Sequence, residues 1–267
     1  MLQQKGSGSS SRQRFVVMEV PYTQFAAAER FLLPRARART VRTVHFCMIA
    51  GLVLASSLGQ LVLALRPDGY GLRGLLFQFY VDGEFRLPAF YSSFLLACCA
   101  WLLYRVSTEP AVTKVDRRYW LSLAFGFALL AIDELFAFHE RSITPLQSVL
   151  DIDSGVLFYA WVAPALVLIV GLAAVYTRFV WRLPPPVRLG VIVGGCFYLG
   201  GAIGFEMLSG AFDAAQGSAN PREHVGYQVL VTVEESLEMV GAVIFLTTVL
   251  VFRDRFLNRG ATSAPAV

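Results

Sequence analysis

The sequence predicts an all-α fold, a polytopic membrane bundle of six transmembrane helices, and two observations support this prediction. First, 56% of the 267 residues are apolar, whereas soluble domains usually contain about 45–50%. Second, the apolar residues are concentrated in six runs of roughly 20 residues, the length of helix that crosses a hydrocarbon core about 30 Å thick. Each run is expected to be a helix because lipid offers no partners to unpaired backbone groups.

The predicted helices are joined by short connections, which favours one bundle over several domains. Their ranges are 41–65, 88–106, 119–140, 155–180, 187–209 and 227–252. We expect residues 1–40 to form a cytoplasmic extension, residues 41–252 the transmembrane domain, and residues 253–267 a cytoplasmic tail. The N-terminal stretch is polar and lacks the short apolar core of a secretory signal.

Small residues in the fifth predicted helix indicate close helix packing. Gly190, Gly194, Gly200 and Gly204 form two pairs with four-residue spacing, a pattern that lets helix backbones approach one another closely. We therefore expect the fifth helix to be the central helix of the bundle.

Charged residues predict which side of the membrane each connection faces. If both termini are cytoplasmic, 18 of the 23 basic residues fall on the cytoplasmic side, in agreement with the positive-inside rule. Of the 19 acidic residues, 14 then lie on or toward the outer side. The net charge of +4 thus reflects orientation in the membrane, and nucleic acid is not an expected partner.

Acidic residues inside the predicted helices point to a shared polar site. Because successive helices alternate in direction, the acids of the third, fifth and sixth helices are all expected in the outer half of the membrane. Glu84, in the loop before the second helix, is expected on the same side. The candidate site residues are Asp133, Glu134, His139, Glu140, Glu206, Glu234, Glu235 and Glu238.

Helical spacing refines the arrangement of these residues. Asp133 and Glu140 are seven positions apart in one predicted helix, so they are expected to share a face. Glu234 and Glu238 share a face in the same way, and Glu206 is expected three residues from the outer end of its helix. The sequence therefore predicts that segments distant along the chain meet in one layer.

The energetic cost of exposing these acids to lipid is large. Glu238 is expected roughly 16 Å into the membrane, counting 1.5 Å per residue from position 227. A central acid costs about 2.5–3.5 kcal/mol, so three glutamates of one helix facing lipid would cost roughly 10 kcal/mol. This is comparable to the net stability of a whole domain. The acids are therefore expected to face a partner, a cation or a wet cavity.

Basic side chains are too few on the outer side to neutralise the acids there. Only five of them are predicted on that side, against 14 acids. Either several carboxyl groups hold a proton, or one or more metal cations bind. A carboxylate-rich site with a single imidazole, that of His139, suits a divalent ion of calcium, manganese, iron or zinc. Such a metal is the candidate cofactor.

Four short motifs accompany these acids between residues 80 and 252. They are E-x-x-x-P at 84–88, DE-x4-HE at 133–140, GxE at 204–206 and EE-x-x-E-M-x-G at 234–241. This set resembles a pattern found in uncharacterised bacterial multi-spanning membrane proteins. The resemblance implies that these positions work together. It implies no particular activity. The expected location of the protein is the bacterial inner membrane.

Three functions agree with the sequence. The first is a metal-binding membrane protein whose site opens to the periplasm, a class that includes metal-dependent enzymes acting on a lipid or small substrate. The second is an accessory subunit of a larger membrane complex with a buried polar network. The third is a cation or proton transporter, which requires a polar path to the cytoplasm. The expected partners are the lipid bilayer and either another membrane protein or further copies of this chain.

Overall fold

The computed structural model describes residues 36–65, 70–216 and 224–257. All the regular elements in these ranges are helical. Six helical segments are long and apolar enough to cross a membrane. The predicted all-α fold with six transmembrane helices is confirmed.

Some predictions fall on parts of the chain outside the described residues. They are most of the predicted N-terminal extension, up to residue 35, and the end of the predicted tail from residue 258. Five basic residues are predicted on the outer side of the membrane. Two of them, Arg66 and Arg222, are not among the described residues. The orientation of both termini stays a prediction.

Nine α-helices follow one another along the described chain. They are α1 (Ala36–Leu65), α2 (Tyr70–Phe77), α3 (Leu87–Ser107), α4 (Lys114–Phe136), α5 (Phe138–Leu150), α6 (Val162–Arg182), α7 (Pro185–Leu199), α8 (Glu206–Gln216) and α9 (Val225–Phe252). A π-helical turn, Gly200–Phe205, joins α7 to α8, so that Pro185–Gln216 is one span. The short helices α2 and α5 were not predicted from the sequence.

The central helix of the bundle is α9. It packs against α7, α1 and α3, and α3 in turn packs along α4. Fourteen residues of α9 are buried, whereas in α7 only Val187 and Gly194 are. The prediction that the fifth span is central is therefore wrong. The glycines of α7 do allow it to approach α9 closely. It is α9, and not α7, that is surrounded by other helices.

Glycines hold α7 close to α9. A Cβ atom at Gly194 would lie 3.0 Å from the backbone nitrogen of Phe245, and one at Gly241 would lie 2.7 Å from the carbonyl oxygen of Gly194. Gly201 also packs on α9, where a Cβ would lie 2.6 Å from the carbonyl oxygen of Glu234. These contacts leave no room for a side chain.

Gly200 and Gly204 were predicted to allow close packing against another helix, but they do not contact one. A Cβ at Gly200 or Gly204 would meet nothing within 4 Å. The reason is helical geometry: Gly201 is seven residues after Gly194, close to two full turns, whereas Gly200 is six residues on and points about 120° away. Four-residue spacing alone therefore selected the wrong glycine.

The third predicted span is two helices. Ala137 has a left-handed backbone, with φ of 47°, and it ends α4 and begins α5. The prediction that Asp133 and Glu140 share one helix face is therefore wrong, because no continuous helix joins them. The next predicted span also starts later than expected, since α6 begins at Val162 rather than at residue 155.

The fifth span extends further than predicted. Helical structure continues from α7 through the π-helical turn to Gln216, instead of ending near residue 209. Glu206 was expected three residues from the end of its helix, and that expectation is wrong. The residue lies ten positions before the end of the span, which brings it deeper into the bundle.

Aromatic side chains and ion pairs close the end of the bundle that carries most of the basic residues. The ring of Trp120 lies 4.9 Å from that of Phe179 and 5.3 Å from that of Phe252. Arg182 forms an ion pair with Asp116, and Arg253 forms another with Glu109. These contacts fasten the ends of α4, α6 and α9 together.

The charge distribution predicts that both termini lie in the cytoplasm. A green fluorescent protein fused after Val267 should fluoresce, and alkaline phosphatase fused at the same place should be inactive. Inserting each reporter beside Asp153, in the connection before α6, should give the reverse pattern. Active phosphatase at the C-terminus would contradict the orientation.

The contact between α7 and α9 predicts that Gly194→Leu destabilises the bundle. Overpacking of this kind costs about 1–3 kcal/mol, so the thermal unfolding temperature of the purified protein should fall. The matched control is Gly195→Leu on the same helix, where an added Cβ meets nothing within 4 Å. Equal melting temperatures for the two variants would contradict the close packing.

Candidate functional site

A cavity of about 1110 Å³ lies between α4, α6, α7, α8 and α9, and all eight candidate site residues line it. The residues that the sequence predicts to meet thus line one cavity. One end of the cavity is lined by carboxyl groups, and the rest mainly by apolar side chains. We call the first part the acidic section. Its carboxyl groups belong to Asp82, Glu84, Asp133, Glu134, Glu140, Glu206, Asp213, Glu234, Glu235 and Glu238.

Three buried glutamates form the deepest part of the acidic section. Glu206, Glu234 and Glu238 are each only 8% exposed. Glu234 accepts a hydrogen bond from the hydroxyl of Ser209 at 3.3 Å, and Tyr198 hydrogen-bonds to Glu238. Glu206 also lies within hydrogen-bonding reach of Glu234. The pairing of α7–α8 with α9 thus brings together carboxyl groups from two separate spans.

Trp161 positions Glu206 from a third segment. Its indole Nε1–H donates to Oε1 of Glu206 at 2.8 Å, and its ring lies 4.8 Å from that of His139. Aromatic residues near helix ends often anchor a chain at the membrane interface. Trp161, just before α6, instead bonds to one of the candidate site residues.

Asp133 and His139 form a pair across the break between α4 and α5. The backbone N–H of His139 donates to Oδ1 of Asp133 at 3.1 Å, and ring Nδ1 lies 2.6 Å from Oδ2. The first amides of a helix need such acceptors. Asp133 therefore begins α5 in the way that a capping residue does, and it also orients the imidazole toward the cavity.

The His139 ring is positively charged at neutral pH. Burial alone lowers the pKa of His139, but the hydrogen bond and charge of Asp133, together with two neighbouring glutamates, outweigh it and raise the pKa to about 9. The imidazolium offsets one of the ten carboxyl groups of the acidic section.

The remaining acids differ in their surroundings. Glu134 accepts a hydrogen bond from Ser92 on α3. Glu84 accepts one from the guanidinium of Arg141 at 3.1 Å, at the exposed mouth of the cavity. Arg141 on α5 thus forms an ion pair with Glu84 of the loop before α3.

No lysine or arginine side chain is among the described residues that line the cavity. Ten carboxyl groups therefore face a shared space with one imidazole ring as the only basic group among those lining residues. This imbalance is the main electrostatic feature of the site. It favours a positively charged occupant.

The carboxyl groups of the cavity come from several helices and from the loop before α3. Within the described ranges, no three His, Cys, Asp or Glu side chains are arranged to hold a metal ion. A calcium, manganese, iron or zinc ion would require several of these side chains to rotate toward one another. The metal role of the eight residues stays a prediction.

Several polar residues of the site were missed by the sequence reasoning. Tyr159 donates a hydrogen bond to Asp213 at 3.3 Å, and both line the cavity together with Asp82, Tyr198 and Tyr227. Asp82, Asp213, Tyr159 and Tyr227 lie in or next to the predicted outer connections, and this position is the signal that could have found them. Tyr198 lies in the middle of a predicted helix and carries no such signal.

The six spans and the buried polar cavity define the class of this protein as a multi-pass α-helical membrane protein. A family model, the domain of unknown function DUF8692, matches residues 44–252. The chain belongs to this family. No curated protein and no solved structure matches the chain.

The bond between Trp161 and Glu206 predicts that Trp161→Phe destabilises the protein. The substitution keeps an aromatic ring but removes the donor, and a hydrogen bond to a charged group contributes about 1.5–3 kcal/mol. The melting temperature should therefore fall. The control Trp101→Phe changes an indole that is 58% exposed and should leave the melting temperature unchanged. A similar shift in both variants would argue against the role of Trp161.

Proposed function

We propose that the protein binds a cation in the acidic section of the cavity, from the side of the membrane that the charge distribution predicts to be outside. The observation that carries the proposal is the lining itself: ten carboxyl groups with no lysine or arginine among the described lining residues. The cavity is also large enough for a small molecule, since ligand pockets commonly measure about 300–1,000 Å³.

Electrostatic repulsion inside the cavity supports a bound cation. Glu238 lies close enough to Glu134 and Glu206 for their charges to act on one another. Like charges brought out of water raise the free energy of the folded protein unless they are neutralised or paired. A cation between the carboxyl groups relieves this repulsion, so binding also stabilises the bundle.

The geometry suits an organic ammonium group better than a metal ion. A metal needs several ligands at a common centre, and among the described residues no three His, Cys, Asp or Glu side chains are arranged in that way. An ammonium group has three N–H donors that point in different directions. It can therefore bond to carboxylates on separate helices without their convergence. Aromatic rings such as that of Trp161 add a favourable surface for a cation.

A transporter would need a polar path through the other half of the membrane. Beyond the acidic section, the described cavity lining is mainly apolar, with Ser122 and Tyr176 bonded to each other at 2.6 Å at its far end. The aromatic cluster around Trp120 lies further toward that end of the bundle. A binding site that opens to one side agrees better with these contacts. An accessory subunit built around the same site is an alternative that the cation test also addresses.

The proposal predicts that Glu238→Gln weakens cation binding. The substitution keeps the shape of the side chain but removes its charge, and losing one charge-assisted contact should lower the affinity at least about tenfold. Binding is measured by equilibrium dialysis of protein in nanodiscs against Ca²⁺, Mn²⁺, Zn²⁺ and hexylammonium. Elemental analysis of the purified protein tests for a metal that is already bound.

The matched control for this experiment is Asp153→Asn, which removes an exposed carboxylate outside the cavity and should leave the affinity unchanged. If wild-type protein contains no metal and binds none of the four cations, the proposal is wrong. It is equally wrong if Glu238→Gln binds them as tightly as wild-type protein does.

A further inference from the structure

The cavity continues far beyond its carboxyl groups into an apolar section. This section is lined by residues that include Gly126, Leu130, Leu168, Leu172, Gly195 and Phe245. On α4, lining residues extend from Asp133 to Ser122, a distance of about 16 Å along the helix. The section therefore extends across about half of the hydrocarbon core of a bilayer, which is about 30 Å thick.

The wall of the cavity formed by α6 is attached to the bundle only at its ends. The buried residues of α6 are Val162, in its first turn, and Phe179, in its last turn. Between them, Leu168 and Leu172 line the cavity and are 62% and 45% exposed. Leu130 on α4 also lines the cavity and is 38% exposed. Along this stretch of α6 the lining side chains are therefore not fully covered by other protein atoms.

A small hydrophilic cation would leave the apolar section without an occupant. Apolar walls bind water poorly, and an empty space of this size forfeits the contacts that a packed interior makes. A hydrocarbon chain fills such a space favourably because its apolar surface is removed from water. The two sections together therefore complement a molecule with a positive head and an apolar chain.

We propose that the cation is the ammonium head of a single-chain amphiphile, and that its hydrocarbon chain lies in the apolar section. This inference rests on the proposed function, because the carboxyl groups of Glu238 and its neighbours bind the head. The weakly packed middle of α6 offers the amphiphile a route from the bilayer to the site. The ligand class is a long-chain primary amine.

The test compares dodecylamine with hexylamine and with dodecanol by equilibrium dialysis, using protein in nanodiscs and subtracting the uptake of empty nanodiscs. Dodecylamine should bind at least about a hundredfold more tightly than hexylamine, because six more methylene groups are buried. Dodecanol has the same chain without the charge and should bind at least about tenfold more weakly than dodecylamine.

A pair of glycine variants isolates the contribution of the chain. Gly195 lines the apolar section and Gly171 on α6 does not, and a Cβ at either position meets nothing within 4 Å. Gly195→Trp should fill the apolar section and weaken dodecylamine binding at least about tenfold while leaving hexylamine binding unchanged. Gly171→Trp places the same side chain outside the cavity and should bind both amines as wild-type protein does. Thermal melting shows that both variants fold.

The outcomes separate this inference from the proposed function. Suppose that hexylamine or a metal ion binds and that its binding depends on Glu238. If dodecylamine then binds no more tightly than hexylamine, and Gly195→Trp does not weaken its binding, the amphiphile proposal is wrong and the proposal of cation binding stands. If dodecanol binds as tightly as dodecylamine, the assignment of a cationic head is wrong. If no amine and no metal ion binds, both proposals are wrong.

Discussion

Carboxyl groups inside a hydrocarbon layer must be kept away from lipid, and the arrangement of the bundle follows from this constraint. Three of the acids are on α9, and α9 is the helix that its neighbours surround. Gly194 and Gly241 let α7 approach it closely. This contact brings Glu206 opposite Glu234. The central polar cavity and the close helix packing are therefore consequences of the same requirement.

The sequence predicted the features that depend on composition and on the alternation of helix direction. Apolar runs of membrane-spanning length identified all six spans. The cost of exposing Glu238 to lipid identified an interior site, and the alternating direction of the helices placed Glu134 and Glu206 in the same layer. These arguments hold whatever the details of packing, and all eight candidate residues do line one cavity.

The sequence could not predict features that depend on local backbone geometry or on contacts between distant side chains. The break at Ala137 is stabilised by Asp133, which bonds to His139 only because the chain turns there. Nothing in the spacing of the motif indicates that turn. The bond from Trp161 to Glu206 joins residues 45 positions apart. Aromatic residues at helix ends usually lie at the membrane interface. The position of Trp161 therefore indicated an interfacial anchor and gave no sign of its hydrogen bond to Glu206.

The π-helical turn Gly200–Phe205 sets the direction in which the site residues beyond it point. A π-helical turn accommodates one residue more than the α-helical turn it replaces, so the extra residue is absorbed there without a change in helical register. Deleting one residue from the regular α-helix of α7 would instead rotate Glu206 and Ser209 by about 100° around the helix axis. The fifth span of such a chain would aim these two side chains away from Trp161 and Glu234.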